Sequence, residues 1–358
     1  MDHTGRVLIR DFGPDMFDDD KEDDDTDPSA SPANEGTDKD DEHARPEIDR
    51  LQLRDLLLSS IPASSVQWGK KFISLSPTTP SPLTDGTPLH TILFADGTSL
   101  TTPLLVGADG TWSRVRPLLS PVQPSYVGLM LLDGHIPAID DRFPHLATFV
   151  SRGTSTILGP DCALIPQRNG GGNVRVYAIL RTARDTFEDE KTWPFHSDPV
   201  GAAKKIESKY YRAEDGWVAE ARELIHACAT PSNTSAPTTI TPRPIYELPP
   251  PHTWPPRAGI TILGDAAHVA SPSGEGANLA MLDGAELALA IIESSFNAAH
   301  TSDHDRPSLA DATAEFEKTM QERCKERDDF ALEKFILPGG AEESVEYVKR
   351  TMAAMLGR

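Results

Sequence analysis

Between residues 259 and 284 the chain reads GITILGDAAHVASPSGEGANLAMLDG, a run that few folds accommodate. Ile260, Ile262 and Leu263 make a short, fully apolar strand, the kind that lies buried inside a parallel sheet. Asp265 follows Gly264 at the carboxyl end of that strand, where a carboxylate can accept hydrogen bonds from ligand hydroxyls. Pro272, Gly274, Gly276, Ala277 and Asn278 then form a loop poor in side-chain bulk. Apolar spacing of helical period begins near residue 276 and continues to about 296. Without side chains on Gly274 and Gly276, backbone N–H groups can approach a flat ligand, and the helix N-terminus behind them favours negative charge.

A second segment has the same logic. Leu104–Ala108 is a buried strand that runs into Asp109-Gly110, with Ser113, Arg114 and Arg116 on the following turn, where a helix is expected to start. A carboxylate and glycine at a strand end, then serine and arginine, suit a diphosphate-containing ligand. The alternative reading is Asp109 as a helix cap with Arg116 on a solvated face. Upstream, 47–57 places Ile48, Leu51, Leu53, Leu56 and Leu57 roughly on one helical face and carries Arg50 and Arg54. For Arg54, a ligand contact and a surface salt bridge are both open.

Taken together, these residues resemble the group A FAD-dependent monooxygenases, the aromatic-hydroxylase and tetracycline-oxygenase-like enzymes. The stretch GDAAH-x3-P-x-GEGAN-x4-D, ending in Leu282-Asp283-Gly284-Ala285, is similar to that family's "GD" motif, and LVGADGTWSRVR to its "DG" motif. The segment 47–54 is similar to the one whose second arginine reaches the cofactor. The three occur in the family's order, and the resemblance covers almost everything after about residue 44. It implies an α/β, FAD/NAD(P)-binding three-layer fold with an antiparallel substrate-domain sheet. The implied cofactor is FAD, held by Arg54, Asp109, Asp265, Pro272, Gly274, Gly276, Ala277 and Asn278. NAD(P)H is the implied co-substrate and O2 the oxidant. The implied reaction hydroxylates or epoxidises a small aromatic or polycyclic substrate, in specialised metabolism by analogy. His268 reads as a structural, hydrogen-bonded histidine, Trp254 as a packing residue, and no catalytic side chain is assigned.

One departure from the family is visible. Its members open with a strand, GxGxxG and a helix, whose glycines bring backbone N–H groups to the pyrophosphate. No GxGxxG occurs in these 358 residues. The fold is therefore expected to be N-terminally incomplete, lacking the first βαβ unit, with apolar edges left exposed. A flavin-free descendant, acting as a cyclase- or isomerase-like pocket protein or as an inactive binding remnant, is the alternative.

Charge and composition define the rest. The formal net charge is −21, yet residues 15–42 hold fourteen acidic side chains against Lys21 and Lys39, a local −12. That stretch has too little apolar surface to offset its ordering entropy and reads as a disordered insert. The acidic balance disfavours nucleic-acid partners, and no apolar run approaches the roughly 20 residues of a membrane helix. Three widely spaced cysteines argue against a disulfide framework and for a reducing, cytoplasmic setting.

The expected organisation is a residual strand (1–14), the acidic insert (15–44), an FAD-binding part (45–120), a substrate domain (121–250), a second FAD-binding part (251–300) and C-terminal helices (301–358). Strands are expected at 88–94 and 98–106 around the Ala95-Asp96-Gly97 turn, and repeatedly over 126–181, including ATFVSRG at 147–153. Helices are expected at 199–210, 216–228, 308–333 and 340–356, and the Pro-rich stretch 230–256 reads as a connection. Oligomeric state is not readable.

Overall fold

The computed structural model describes residues 1–6, 48–76, 88–151, 153–232, 240–272, 274–294, 306–325 and 336–355. The acidic insert, residues 7–14 of the residual strand, and the end of the 308–333 helix lie outside the described residues. In chain order the elements begin with α1 (Arg50–Ser59), β1 (Phe72–Leu75), β2 (His90–Phe94), β3 (Ser99–Thr102) and β4 (Leu105–Gly107). The long strand β5 (Ser125–Ile136) leads to α2 (Ile139–Arg142), α3 (Pro144–Val150), β6 (Ile157–Gly159), β7 (Cys162–Asn169) and β8 (Asn173–Arg181). Then come α4 (Pro199–Tyr210), α5 (Ala219–Ala229), β9 (Thr241–Glu247), β10 (Ile260–Ile262) and α6 (Asp265–His268). The chain closes with α7 (Gly276–Glu293), α8 (Leu309–Lys325) and α9 (Ala341–Met355).

The strands form three sheets. An antiparallel β1-β2-β3 meander turns at Asp96-Gly97, where Gly97 has φ +81° and the Asp96 carboxylate accepts from the Thr98 N–H. Beside it, β4 and β10 run parallel, with Ile260, Thr261 and Ile262 opposite Leu105, Val106 and Gly107. The third sheet is antiparallel, in the order β6-β7-β8-β5-β9. Its strand β9 lies in the stretch expected to be a connection. Pro242 and Pro244 disguise it in the sequence, but an edge strand tolerates residues without an N–H.

Two further expectations are corrected. The segment ATFV belongs to helix α3, because Pro144 occupies a first-turn position where its missing N–H costs nothing. The helix expected from Ser113 is one 3₁₀ turn, Arg116–Leu118; Pro121 disfavours helical backbone at Ser120 and ends it.

Alternation divides the large sheet's two faces. Met130, Leu132 and Ile136 of β5, with Val174, Val176 and Leu180 of β8, point to a layer made by α3, α4 and α5, where Leu146, Ile206, Leu224 and Ile225 are buried. Each such side chain contributes about 1.5–3 kcal/mol relative to exposure, so this layer is the chain's main source of stability. Gly134 lets α5 approach closely: a Cβ there would lie 2.5 Å from the Cys228 Sγ. On the opposite face, Leu129, Ala163, Ile179 and Ile245 are covered by Ile336 and Ala341 of the C-terminal segment. Residues 1–6 lie against β6, with Asp2 bridging Leu158 and the Met1 ammonium donating to the Thr156 carbonyl at 3.0 Å.

The parallel pair has its own core of Val115, Trp254, Ile260, Ile262, Leu287, Phe316 and Met320. Trp254 is the packing residue it was expected to be. Coverage here is partial. Helix α1 buries none of its residues, and Leu51, Leu56 and Leu57 are exposed, as are Met281, Leu282, Leu289 and Ile292 on α7. Cys162, Cys228 and Cys324 form no disulfide among the described residues, and no helix among them is long and apolar enough to cross a membrane.

Glu317 of α8 is buried against this pair and accepts from the Thr261 hydroxyl at 2.8 Å. Burial raises its carboxyl above the ordinary range, more than Thr261 lowers it. A raised folded-state value stabilises the fold below the unfolded carboxyl's range, and that contribution is lost as pH rises through the folded value. Glu317→Gln should therefore lose less Tm than the parent between pH 5 and pH 8; parallel pH–Tm curves would contradict this assignment.

Candidate cofactor site at the carboxyl ends of the parallel strands

The register of the parallel pair decides what meets here. Ile262 lies opposite Gly107, and the Leu263 N–H donates to the Gly107 carbonyl at 3.0 Å. The segments that leave β4 and β10, Asp109-Gly110 and Gly264-Asp265, thus emerge at one end of the same sheet, where ligands of open α/β folds bind. The close fit needs Gly107, because a Cβ would sit 2.6 Å from the Val115 Cβ and 2.8 Å from the Ile262 Cγ2. Gly264 makes the reversal into α6 with φ +57° and ψ −144°, a backbone that side chains disfavour.

Helix α6 has only four residues and cannot satisfy its own carbonyls. Arg116 donates from Nη1 to the Ala266 carbonyl at 3.0 Å and from Nη2 to the Thr111 carbonyl at 2.7 Å. One guanidinium so ties the Asp109-Gly110 loop to the Gly264-Asp265 turn. It is fully buried, which excludes the solvated-face reading of Arg116. Burial pushes its pKa down, and the nearby Asp109 carboxylate opposes that. His252 donates from Nδ1 to the Ala267 carbonyl at 2.6 Å, and its Nε2 is hydrogen-bonded to the Ser120 hydroxyl at 3.0 Å.

Behind the turn stands Asp283 of α7, with no exposed surface. Its Oδ2 accepts from the Gly264 N–H at 2.9 Å and lies 2.6 Å from His268 Nε2, while Oδ1 accepts from Arg323 at 2.8 Å. Burial opposes its charge, but His268, Gly264 and Arg323 together hold the carboxyl below its ordinary range. Arg323 also pairs with Glu286. His268 is thus a hydrogen-bonded structural residue. The sequence offered Arg116 as a diphosphate-suited arginine or a solvated one, and its place as a buried tie between two loops follows from neither; Asp283 had no assigned role, and its signal was its spacing on the buried face of α7.

The residues singled out from the sequence have different surroundings. Asp265 is exposed at the strand end, and its carboxylate has no partner among the described residues. Pro272, Gly274, Ala277 and Asn278 are exposed, and Gly276 is half-buried. Gly274 has φ +87°, and open space surrounds the Cβ positions of both Gly274 and Gly276. Among the described residues no side chain caps the first turn of α7. Asp109 accepts from the Arg114 N–H at 2.7 Å, which makes it a local cap of its own loop. Arg54 is exposed on α1 and chelated by Asp55 at 2.9 and 2.7 Å. Register and Arg116 thus join the Asp109 and Asp265 segments, whereas among the described residues Arg54 pairs with Asp55 and not with either segment.

An unpaired carboxylate, glycines with open space and an uncapped helix start fit the hydroxyl-bearing chain and flat ring of a flavin. The donors that would cradle its pyrophosphate are not among them. Beyond the Asp109-Gly110 loop, Trp112 packs edge-on against Tyr246 of β9, with centroids 4.8 Å apart, so the candidate site borders the antiparallel sheet.

Asp283→Ala would remove a buried charge and leave Gly264, His268 and Arg323 without their acceptor. A loss of about 3–5 kcal/mol is expected, measured by urea unfolding; a loss under about 1 kcal/mol would show that the network carries little.

Comparisons with known proteins agree with this geometry. No protein-family model matches the chain. Monooxygenase penA of Penicillium thymicola is 30% identical over 271 residues, spanning 68% of this chain and 61% of that protein. Monooxygenase asqM of Emericella nidulans is 27% identical over 317 residues, 79% of this chain and 70% of that protein. The chain thus spans between three-fifths and about two-thirds of these relatives' lengths. Among solved structures, Klebsiella pneumoniae HpxO complexed with FAD and uric acid superposes with a TM-score of 0.58 at 23% identity, covering 79% of this chain and 61% of that one. A salicylate hydroxylase substrate complex superposes with a TM-score of 0.58 at 18% identity, covering 86% and 71%. The chain has the three-layer α/β fold of the FAD-dependent monooxygenases, with its antiparallel substrate-side sheet.

Proposed function

We propose that this chain, which has the fold of the class A FAD-dependent monooxygenases, is the flavin- and substrate-binding part of such an enzyme. Its reaction would hydroxylate or epoxidise a small aromatic or polycyclic compound with NAD(P)H and O2, a tailoring step that suits specialised metabolism. The observation that carries this reading is the pairing of an exposed, unpartnered Asp265 with the glycine-rich, uncapped start of α7 at the carboxyl ends of two parallel strands.

In this reading Asp265 accepts hydrogen bonds from the hydroxyls of the flavin's ribityl chain. The N–H groups of Gly276, Ala277 and Asn278 lie where negative charge on the reduced ring is favoured. Pro272 and Gly274 keep the approach free of side chains. Asp109 and Arg54 serve the rest of the cofactor, and Arg54 must leave Asp55 to do so. When bound, FAD supplies the redox chemistry, with electrons from NAD(P)H and oxygen from O2. Asp283, His268 and Arg116 do not reach the ligand in this scheme; they fix the two loops that do. The antiparallel sheet forms the substrate wall, positioning the compound and excluding water.

The test is a titration of the 358-residue chain with FAD, followed by flavin fluorescence and visible absorbance. Saturable binding at micromolar concentration or tighter is expected. Asp265→Ala should weaken it by about tenfold or more, the loss of a charge-assisted hydrogen bond, with Tm unchanged. No binding by folded protein, or unchanged affinity in the variant, would overturn the reading. The first outcome would favour the flavin-free pocket protein, consistent with the lack of a GxGxxG segment.

A further inference from the structure

The layer between the antiparallel sheet and its helices is not filled throughout. Register sets Leu132 of β5 opposite Ala178 of β8, and Gly134 opposite Val176. On this face a small residue thus meets a large one in two successive pairs, and Gly134 and Ala178 stand diagonally to each other. They leave a dip in the sheet surface. Ile206 of α4, Ile225 and Cys228 of α5, and Ile240 just before β9 close over it. What remains is a cavity of about 10 Å³, room for about one water-sized molecule.

Its chemistry is apolar. The side chains that line it end in carbon or, at Cys228, in sulfur. The backbones of the four sheet residues are engaged in strand pairing. Burial pushes the Cys228 thiol up, and the Asp133 carboxylate adds to that, so the sulfur stays neutral. A buried water needs several polar partners, and this lining offers it none, so the cavity is dry. An empty space in a core is unfavourable because its lining atoms lose contacts on one side. A small apolar molecule restores those contacts and gives up no hydrogen bond on entering. Asp133, between Leu132 and Gly134, points to the other face, where Arg175 and Arg243 hold its carboxylate. One layer of backbone therefore separates the cavity from the face that forms the substrate wall in the function proposed above.

We propose that the cavity between Gly134, Ala178 and Cys228 binds dioxygen. A diatomic apolar gas fits a space of this size, and the lining rejects water and ions. The choice of dioxygen among such gases rests on the proposed reaction, which consumes it; the apolar character of the site does not.

The test is methyl NMR of the full chain, labelled at Ile, Leu and Val, under oxygen pressure and under the same pressure of nitrogen. Dioxygen is paramagnetic and speeds the relaxation of the methyl groups it touches. Leu132, Val176, Ile206, Ile225 and Ile240 should relax faster under oxygen by a clear excess over Leu146 and Ile157, which are buried but do not line the cavity. Ala178→Val should fill the space and abolish the excess, and Val176→Ile provides a second filling variant if the first fails to fold. Cys228→Ala enlarges the space and should keep or raise the excess. Relaxation no faster than at Leu146 and Ile157, an excess that survives filling, or one lost in Cys228→Ala would overturn the proposal. FAD binding without the oxygen effect would defeat this inference alone; the oxygen effect without FAD binding would defeat only the flavin reading.

Discussion

The Asp283 carboxylate is the point on which the α/β half depends. It is a buried anion, and burial of an anion is unfavourable unless hydrogen bonds and opposite charge compensate it. Gly264, His268 and Arg323 provide that compensation from the strand-to-helix turn, from the end of α6 and from α8. Each therefore has its place fixed by the same two oxygen atoms. The turn that presents Asp265 is defined from behind, and Asp265 itself is left free of partners. Arg116 completes the frame from the other side by tying the Thr111 and Ala266 carbonyls together. The side chains that fix the two loops are interior, and those at the strand ends are small or exposed.

The antiparallel sheet solves a different problem. Its strands alternate, so one face can be committed to burial while the other stays available. The buried face carries the large aliphatic core beneath α3, α4 and α5. The opposite face is closed by the C-terminal segment at its apolar end and carries the Asp133–Arg175–Arg243 cluster at the other. Trp112 against Tyr246 brings the Asp109-Gly110 loop to the edge of this sheet.

The parallel pair is less fully covered. Parallel sheets are ordinarily packed on both faces, yet α1 buries none of its residues and α7 shows Met281, Leu282, Leu289 and Ile292 to solvent. The register of β4 and β10 still brings the two strand ends together.

Local sequence decided the strand–turn–helix character of 260–284, the hairpin at Asp96-Gly97 and the helices at α4, α5 and α7. In these segments apolar period, glycine conformation and capping all act within a few residues. Some features were legible only in part: β9 is masked by Pro242 and Pro244, and ATFV carries strand-like residues that Pro144 recruits into α3. Other features depended on the tertiary structure alone. Arg116 could have capped a surface turn, and only the proximity of Thr111 and Ala266, five and 150 residues away, buries it as a clamp. Arg175 and Arg243 are separated from Asp133 by 42 and 110 residues, and only strand register brings them to one carboxylate. Periodicity reports which face a residue occupies; pairing between distant strands decides which charges share that face.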